Sequence, residues 1–282
     1  MTKPPNSKVN LDRAIQRLYG TGARFVEYRS IIANTIVGQF LPEGVVKGGS
    51  ALKLRYGCLA TRMTTDFDTA YRSDIEGFIE RIRTGLAAGW GDFTGDVVRR
   101  PPATPVGIPA EYVMQPFDVK LKYRNVPWCT VNLEVGYDEI GDAQSAEPFI
   151  DASVIEVFRT LCLPEPKPIP LMPLEHQVAQ KLHGVSEPGS RRAHDLVDLQ
   201  LIFSRSEVDL AETRRIAVRL FANRRRQPWP TMIEKGEGWD GLYAAAKGEL
   251  PVRATVDEAI CWANELIGKI VAVKDENESK EG

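Results

Sequence analysis

Val45-Val46-Lys47-Gly48-Gly49-Ser50 and, further on, Met63-Thr64-Thr65-Asp66-Phe67-Asp68-Thr69 decide how this chain folds. The first segment is a β-rich run into two glycines and a serine. Glycines leave bare backbone where something must come close, and Ser50 adds a hydroxyl. In the second segment two carboxylates are separated by one residue. Side chains alternate in an extended strand, so Asp66 and Asp68 share a face, with Thr64 on the same side and Thr65 and Phe67 on the other. Paired acids beside a glycine turn point to Mg²⁺ or Mn²⁺ held by oxygen ligands, with a triphosphate bridging the metal and backbone N–H groups. Phosphoryl and nucleotidyl transfer use those parts.

Each motif alone has an ordinary reading: an Asp-x-Asp on a solvated strand, a Gly-Gly-Ser as a simple turn. In this order and spacing the two together resemble the signature of the polymerase-beta-like nucleotidyltransferase superfamily. There a strand leads into Gly-Gly/Ser, a short helix follows, and the next strand carries Asp-x-Asp.

Composition sets limits. With 282 residues and a formal net charge of −2, the chain has room for one large or two modest domains, and no global basic field. Any nucleic-acid contact must therefore come from local patches. Cys58, Cys129, Cys162 and Cys261 match no metal-ligand spacing and read as reduced thiols of a cytoplasmic protein. Three histidines do not make a zinc site. No signal pattern and no membrane-spanning apolar run are evident.

Apolar residues recur at helical spacing over Leu11–Tyr19 and Phe25–Phe40. A short helix is expected over Ala51–Tyr56, ending at Gly57, then a strand over Met63–Thr69. Ser73 with Glu76 reads as a capping box for a helix reaching Ala88. Phe117–Tyr123 and Cys129–Val135 both alternate about a turn at Arg124–Pro127, as a β-hairpin does. The second strand puts Thr130, Asn132 and Glu134 together. Glu134 is either a third carboxylate and metal ligand beside Asp66 and Asp68, or a residue of a solvent face. Pro164, Pro166, Pro168, Pro170 and Pro173 mark a linker or edge strand, so the division expected is 1–163 and a mainly helical 164–282. The first eight residues and Lys274–Gly282 read as loose tails.

In the helix expected from Leu174 to Val185, Lys181 falls inside the apolar arc of Leu174, Val178, Leu182 and Val185. Its amine either snorkels to water or enters a cleft to neutralise phosphate. In the next helix Arg192 and Asp195, three apart, lie within the apolar arc and can pair, with Asp198 at its edge. That pair either fixes helix packing or faces a nucleotide.

Pro173-Leu-Glu-His-Gln-Val-Ala-Gln-Lys181-Leu-His, followed by Arg192-Ala-His-Asp195-Leu-Val-Asp198-Leu, together with the Gly-Gly-Ser and Thr-x-Asp-x-Asp motifs, resembles the AbiEii/AbiGii family of nucleotidyltransferase toxins. The MenT toxins are similar in plan. The likeness runs from Phe25 to Phe203 and more weakly to Val271. It implies an α/β (α+β) fold with a polymerase-beta-like core sheet, flanking helices and a mainly helical second half. It also implies a toxin of the EC 2.7.7 type with an antitoxin partner. Some members add nucleotides to the 3′ end of tRNA and block aminoacylation. Carried onto this chain, Gly48, Gly49 and Ser50 would hold the nucleoside triphosphate with Lys181 and Arg192. Asp66 and Asp68 would bind metal, and Asp195 would complete the site. Thr64 matches a hydroxyl that some family antitoxins phosphorylate. Glu134 is fixed by no motif of the family.

Arg99-Arg100 and Arg224-Arg225-Arg226 with Trp229 are the candidates for RNA contact, or else are solvated helix and strand ends. A small-molecule nucleotidyltransferase and a non-catalytic nucleotide-binding protein are the competing readings. An acidic acceptor pocket would favour the first, and indifference to loss of Asp66 the second.

Overall fold

The computed structural model describes residues 3–71, 74–103, 113–141 and 145–273. The chain forms two units, 1–172 and 173–282.

The first unit opens with α1 (Lys8–Tyr19), capped by the Ser7 hydroxyl, which accepts from the Asn10 N–H, and then α2 (Ala23–Gly38). A two-residue strand, β1 (Val45–Val46), runs directly into α3 (Gly48–Tyr56). The helix thus begins at the glycines themselves, three residues earlier than expected, and stops at Gly57, whose φ of 87° suits a residue without a Cβ. β2 spans Asp66–Tyr71 rather than Met63–Thr69. The three residues before it lie outside the ladder, and the Thr64 side chain there stands over Gly49, where an added Cβ would lie 3.2 Å from its Oγ1. α4 (Ile75–Ala88) has Asp74 at its N-cap, and the expected cap at Ser73 lies outside the described residues.

Then come β3 (Phe93–Arg99), β4 (Gln115–Tyr123), β5 (Val126–Tyr137), β6 (Glu147–Phe149), α5 (Ala152–Thr160) and β7 (Ile169–Leu171). The seven strands form one sheet in the order β3-β4-β5-β2-β1-β7-β6. β4 and β5 are the expected hairpin, joined through Arg124 and Asn125 with φ of 50° and 65°, the left-handed pair that a tight turn between twisted strands requires. The five-proline segment supplies β7, which pairs in parallel with β1 and antiparallel with β6.

The alternation read from sequence decides which side of the sheet is covered. Phe67, Phe117, Val119, Leu121, Tyr123, Val131, Leu133 and Val135 join Ile31, Ile32 and Ile36 of α2 and Ile79, Ile82 and Leu86 of α4 in one buried cluster. Each such side chain contributes roughly 1.5–3 kcal/mol by leaving water. The intervening residues put Asp66, Asp68, Asn132 and Glu134 half-buried on the other face, and leave Lys120 and Lys122 exposed.

The second unit is helical: α6 (Leu174–Ser186), α7 (His194–Arg205), α8 (Leu210–Arg224), α9 (Trp239–Lys247) and α10 (Val256–Ala272). α10 carries a capping box of Thr255 and Glu258. α6 packs against both α7 and α8. It is therefore buried beyond its apolar arc: His176, Gln177 and His183 are covered along with Leu174, Val178, Lys181, Leu182 and Val185.

Candidate active site

β1 ends where α3 begins, and one backbone bond fixes that junction: the Lys47 N–H donates to the carbonyl of Asp68 at 2.9 Å. Gly48 has a φ of 66°, and a Cβ placed on it would lie 2.5 Å from Asp68 Oδ2. Only glycine lets the turn approach the carboxylate so closely. A Cβ on Gly49 would meet the Thr64 side chain and Arg62 at 3.2 Å. The Ser50 hydroxyl donates to the Asp66 carbonyl and accepts from Asn34 Nδ2 at 3.2 Å, with Ser50 buried. Its proton is thus committed to the protein, clamping the turn onto β2. The donors that remain at this place are the main-chain N–H groups of the first helical turn, which have no intrahelical acceptor.

β2 pairs with β5 in parallel, so Asp66 lies beside Asn132 and Asp68 beside Glu134. Asn132 Nδ2 donates to Asp66 Oδ1 at 2.9 Å, and Arg100 Nη1 donates to Asn132 Oδ1 at 2.7 Å. Burial pushes the Glu134 carboxyl above its usual range, and the charges of Asp68 and Asp66 push it further, against the pull of Arg100 and Lys47. The Lys47 side chain crosses the sheet toward β5, where a Cβ on Gly136 would lie 3.1 Å from its Nζ. Lys47 and Asn132 were missed in the sequence. Asn132 shares a face with Glu134, two residues on, but only the strand pairing shows what it meets. Lys47 abuts the glycine turn, but nothing in its spacing shows that it reaches over Gly136.

Hard carboxylate oxygens suit Mg²⁺ or Mn²⁺ rather than a thiolate-seeking metal. Among the described residues, no three His, Cys, Asp or Glu side chains gather closely enough to hold a metal ion. Asp66 and Asp68, with the glycine turn against Asp68, are the pair that fits such a cation.

In the second unit Lys181 is buried, and its ammonium donates to Asp195 Oδ1 at 3.0 Å and to Asp198 Oδ2 at 2.6 Å. Arg192 Nε donates to Asp195 Oδ2 at 2.6 Å, which forms the pair expected from their spacing. Arg192 lies across α6 at Gly184, where a Cβ would come within 2.6 Å of its Nε. Burial alone would raise the Asp195 carboxyl, but Arg192, Lys181 and His194 outweigh it and hold the group well below the ordinary carboxylate range.

The basic segments are partly committed. Arg99 pairs with Glu76 and donates to Gln115 at 2.8 Å. Arg226 pairs with Glu187 at 2.8 Å, and Arg224 Nη1 lies 3.4 Å from His183 Nδ1. The Trp229 ring leans on Phe221 at 5.1 Å, while Arg225 is exposed at the C-cap of α8.

Residues 35–262 match the family described as nucleotidyl transferase AbiEii toxin, type IV toxin–antitoxin system. The chain belongs to the AbiEii nucleotidyltransferase toxin family. Among solved structures, the nucleotidyltransferase toxin MenT4 of Mycobacterium tuberculosis is similar, with a TM-score of 0.59 and 14% identity over 97% of this chain and 92% of that one. That likeness is one of fold. JHP933 of Helicobacter pylori has a TM-score of 0.46 and 13% identity, covering 88% of this chain and 92% of that one. A second H. pylori structure gives 0.46 and 13%, over 89% and 96%. No curated protein sequence matches. Membership makes the chain a toxin-type nucleotidyltransferase, with a nucleoside triphosphate as substrate and an antitoxin as partner. No described helix is long and apolar enough to cross a membrane.

Proposed function

We propose that this AbiEii-family chain transfers a nucleoside monophosphate from a nucleoside triphosphate to the 3′ end of a tRNA, in a Mg²⁺-dependent reaction that blocks translation in the cytoplasm. The observation that carries the reading is the β2–β5 pairing, which puts Glu134 beside Asp68 next to the glycine turn.

In this reading, main-chain N–H groups at Gly48, Gly49 and Ser50 hold the triphosphate, aided by the partial positive charge of the α3 N-terminus. Asp66 and Asp68 would hold a divalent cation, which would supply charge neutralisation at phosphate and a lowered hydroxyl pKa. The acceptor 3′-oxygen bonds to the α-phosphorus as the bond from that phosphorus to the pyrophosphate oxygen breaks. The hydroxyl proton passes to Glu134, whose upward shift suits it to take one. Lys47, on the face that carries the acids, supplies a positive charge for the departing pyrophosphate. The candidate contacts for an RNA acceptor are Arg100 in the sheet unit and Arg224, Arg225, Arg226 and Trp229 in the helical unit, of which Arg100, Arg224 and Arg226 already hold protein partners. The antitoxin would act at Thr64: a phosphate there would crowd Gly49 and set a dianion two residues from Asp66.

The test is a transfer assay with Mg²⁺, each α-labelled nucleoside triphosphate in turn and total tRNA. Label on tRNA with wild type and none with Asp66→Ala supports the assignment and names the nucleotide. Label on no tRNA with any nucleotide, despite nucleotide binding, overturns the tRNA acceptor and directs the search to proteins and small alcohols.

A further inference from the structure

The contacts of Asn132 have a chemical direction. On one side stands Asp66, which when ionised only accepts hydrogen bonds; on the other stands Arg100, which only donates. A primary amide between them satisfies both in one orientation alone: Oδ1 toward the guanidinium, Nδ2 toward the carboxylate. The structure has that orientation, with 2.7 Å from Arg100 Nη1 to Asn132 Oδ1 and 2.9 Å from Asn132 Nδ2 to Asp66 Oδ1. Arg100 is itself held from β4, its Nη1 lying 3.4 Å from Asp118 Oδ1 and its backbone N–H donating to the Pro116 carbonyl at 3.0 Å. Register explains the row: Asp66 pairs with Asn132 across β2 and β5, and Asn132 with Asp118 across β5 and β4. The chain Asp118–Arg100–Asn132–Asp66 therefore spans three strands on the sheet face that carries the acids.

We propose that Asn132 is the positioning residue for Asp66 and that Arg100 acts by fixing the direction of the Asn132 amide. The inference rests on the nucleotidyltransferase reading of Asp66 and deepens it. A carboxylate with one oxygen held cannot spin about its terminal torsion. Asp66 Oδ1 is spent on the amide, so Oδ2 is left in a fixed direction for a cation shared with Asp68. Without Arg100 the amide could turn its oxygen toward Asp66, and two acceptors would then repel. Outer partners that orient a ligating group commonly change metal affinity by about 10–100-fold when lost.

The experiment compares wild type, Asn132→Leu, Arg100→Met and Asp66→Ala in the full-length protein. Mn²⁺ binding is read by calorimetry without nucleotide, the Mg²⁺ dependence by the transfer assay, and folding by melting temperature. Asn132→Leu keeps the branched shape, with a somewhat larger volume, and removes the donor. The expected result is a Mn²⁺ dissociation constant raised about 10–100-fold, the half-saturating Mg²⁺ raised in step, and kcat at saturating Mg²⁺ largely recovered. Arg100→Met, which leaves the amide in place but undirected, should fall between that variant and wild type. Mn²⁺ affinity equal to wild type in a folded Asn132→Leu overturns the proposal, as does a loss of activity that no Mg²⁺ concentration restores. Should Asn132→Leu fail to fold, Asn132→Ser, too short to reach Asp66, is read the same way. Wild-type binding of Mn²⁺ that survives Asp66→Ala is a different failure: it overturns the reading of Asp66 itself, and the inference with it.

Discussion

Gly48 and Glu134 show how single residues set the chemistry of the sheet unit. Gly48→Ala adds a Cβ 2.5 Å from Asp68 Oδ2 at a φ of 66°. The left-handed conformation costs an alanine about 1–2 kcal/mol, and the carboxylate has to move. A displacement of about 1 Å in a reacting group can cost roughly 100-fold in rate. Transfer should therefore fall by about that factor while far-ultraviolet circular dichroism remains that of the wild type. Glu134 carries a different signature. Its folded carboxyl binds protons more tightly than an unfolded one, so folding is disfavoured as pH rises through the unfolded value near 4.3 and beyond it. Glu134→Gln removes that repulsion. Its melting temperature should exceed wild type by ~1–3 °C at pH 7, and the gap should close as pH falls below about 4. The same variant should lose transfer activity if Glu134 accepts the hydroxyl proton, which would place stability and function in opposition at one side chain.

At the scale of elements, the α6–α7 pair buries an ionic cluster whose arrangement follows from helical spacing. Lys181 lies in an apolar arc of α6, and Arg192, just before α7, reaches back to Asp195 in the first turn of that helix. Asp195→Asn would weaken two ion pairs while Asp198 still holds Lys181, and a hydrogen bond to a charged group is worth about 1.5–3 kcal/mol. Urea unfolding at pH 7 should show a loss of that size. Because the folded carboxyl is held low, its contribution is whole above the unfolded value near 3.9 and is lost only as pH falls through the folded one. The wild-type advantage should therefore stay constant from pH 7 to about 5 and shrink below 4. The Arg192–Asp195 pair, the β4–β5 hairpin and the helix ending at Gly57 were legible because each depends on neighbours a few residues apart, whereas the bonds from Lys181 to Asp195 and Asp198 join two helices and take up an amine expected to reach water or phosphate. The parallel pairing of β2 with β5 was not, since it joins positions 66 and 132 with no local signal. Glu134 was found by alternation, whereas the roles of Asn132 and Arg100 needed the register. Ser50 shows the converse limit. Its place in a glycine motif pointed to phosphate, while the fold turns its hydroxyl inward to the Asp66 carbonyl.

For the whole molecule, a formal charge of −2 bears on how it could engage a polyanion. No long-range field draws RNA in, so binding has to come from a few arginines close to phosphates. Several are already engaged: Arg226 with Glu187, Arg99 with Glu76, Arg100 with Asn132. Arg225 is exposed at the end of α8, where its backbone is left-handed with a φ of 53°. Each phosphate contact contributes about −0.7 to −0.9 to the slope of log K against log salt. A protein with two to four such contacts should therefore give a slope of only about −1.5 to −3.5. Arg225→Gln should weaken binding to all tRNAs alike and make the slope shallower by about 1, because a phosphate contact carries no sequence preference. Fluorescence anisotropy of labelled tRNA from 25 to 300 mM salt would read both quantities (~25–300 mM spans the range where counterion release dominates). An unchanged slope would remove Arg225 from the RNA surface. A slope much steeper than −4 would require basic groups beyond these arginines, and would direct attention to Lys120 and Lys122, exposed on the same sheet face as the acids.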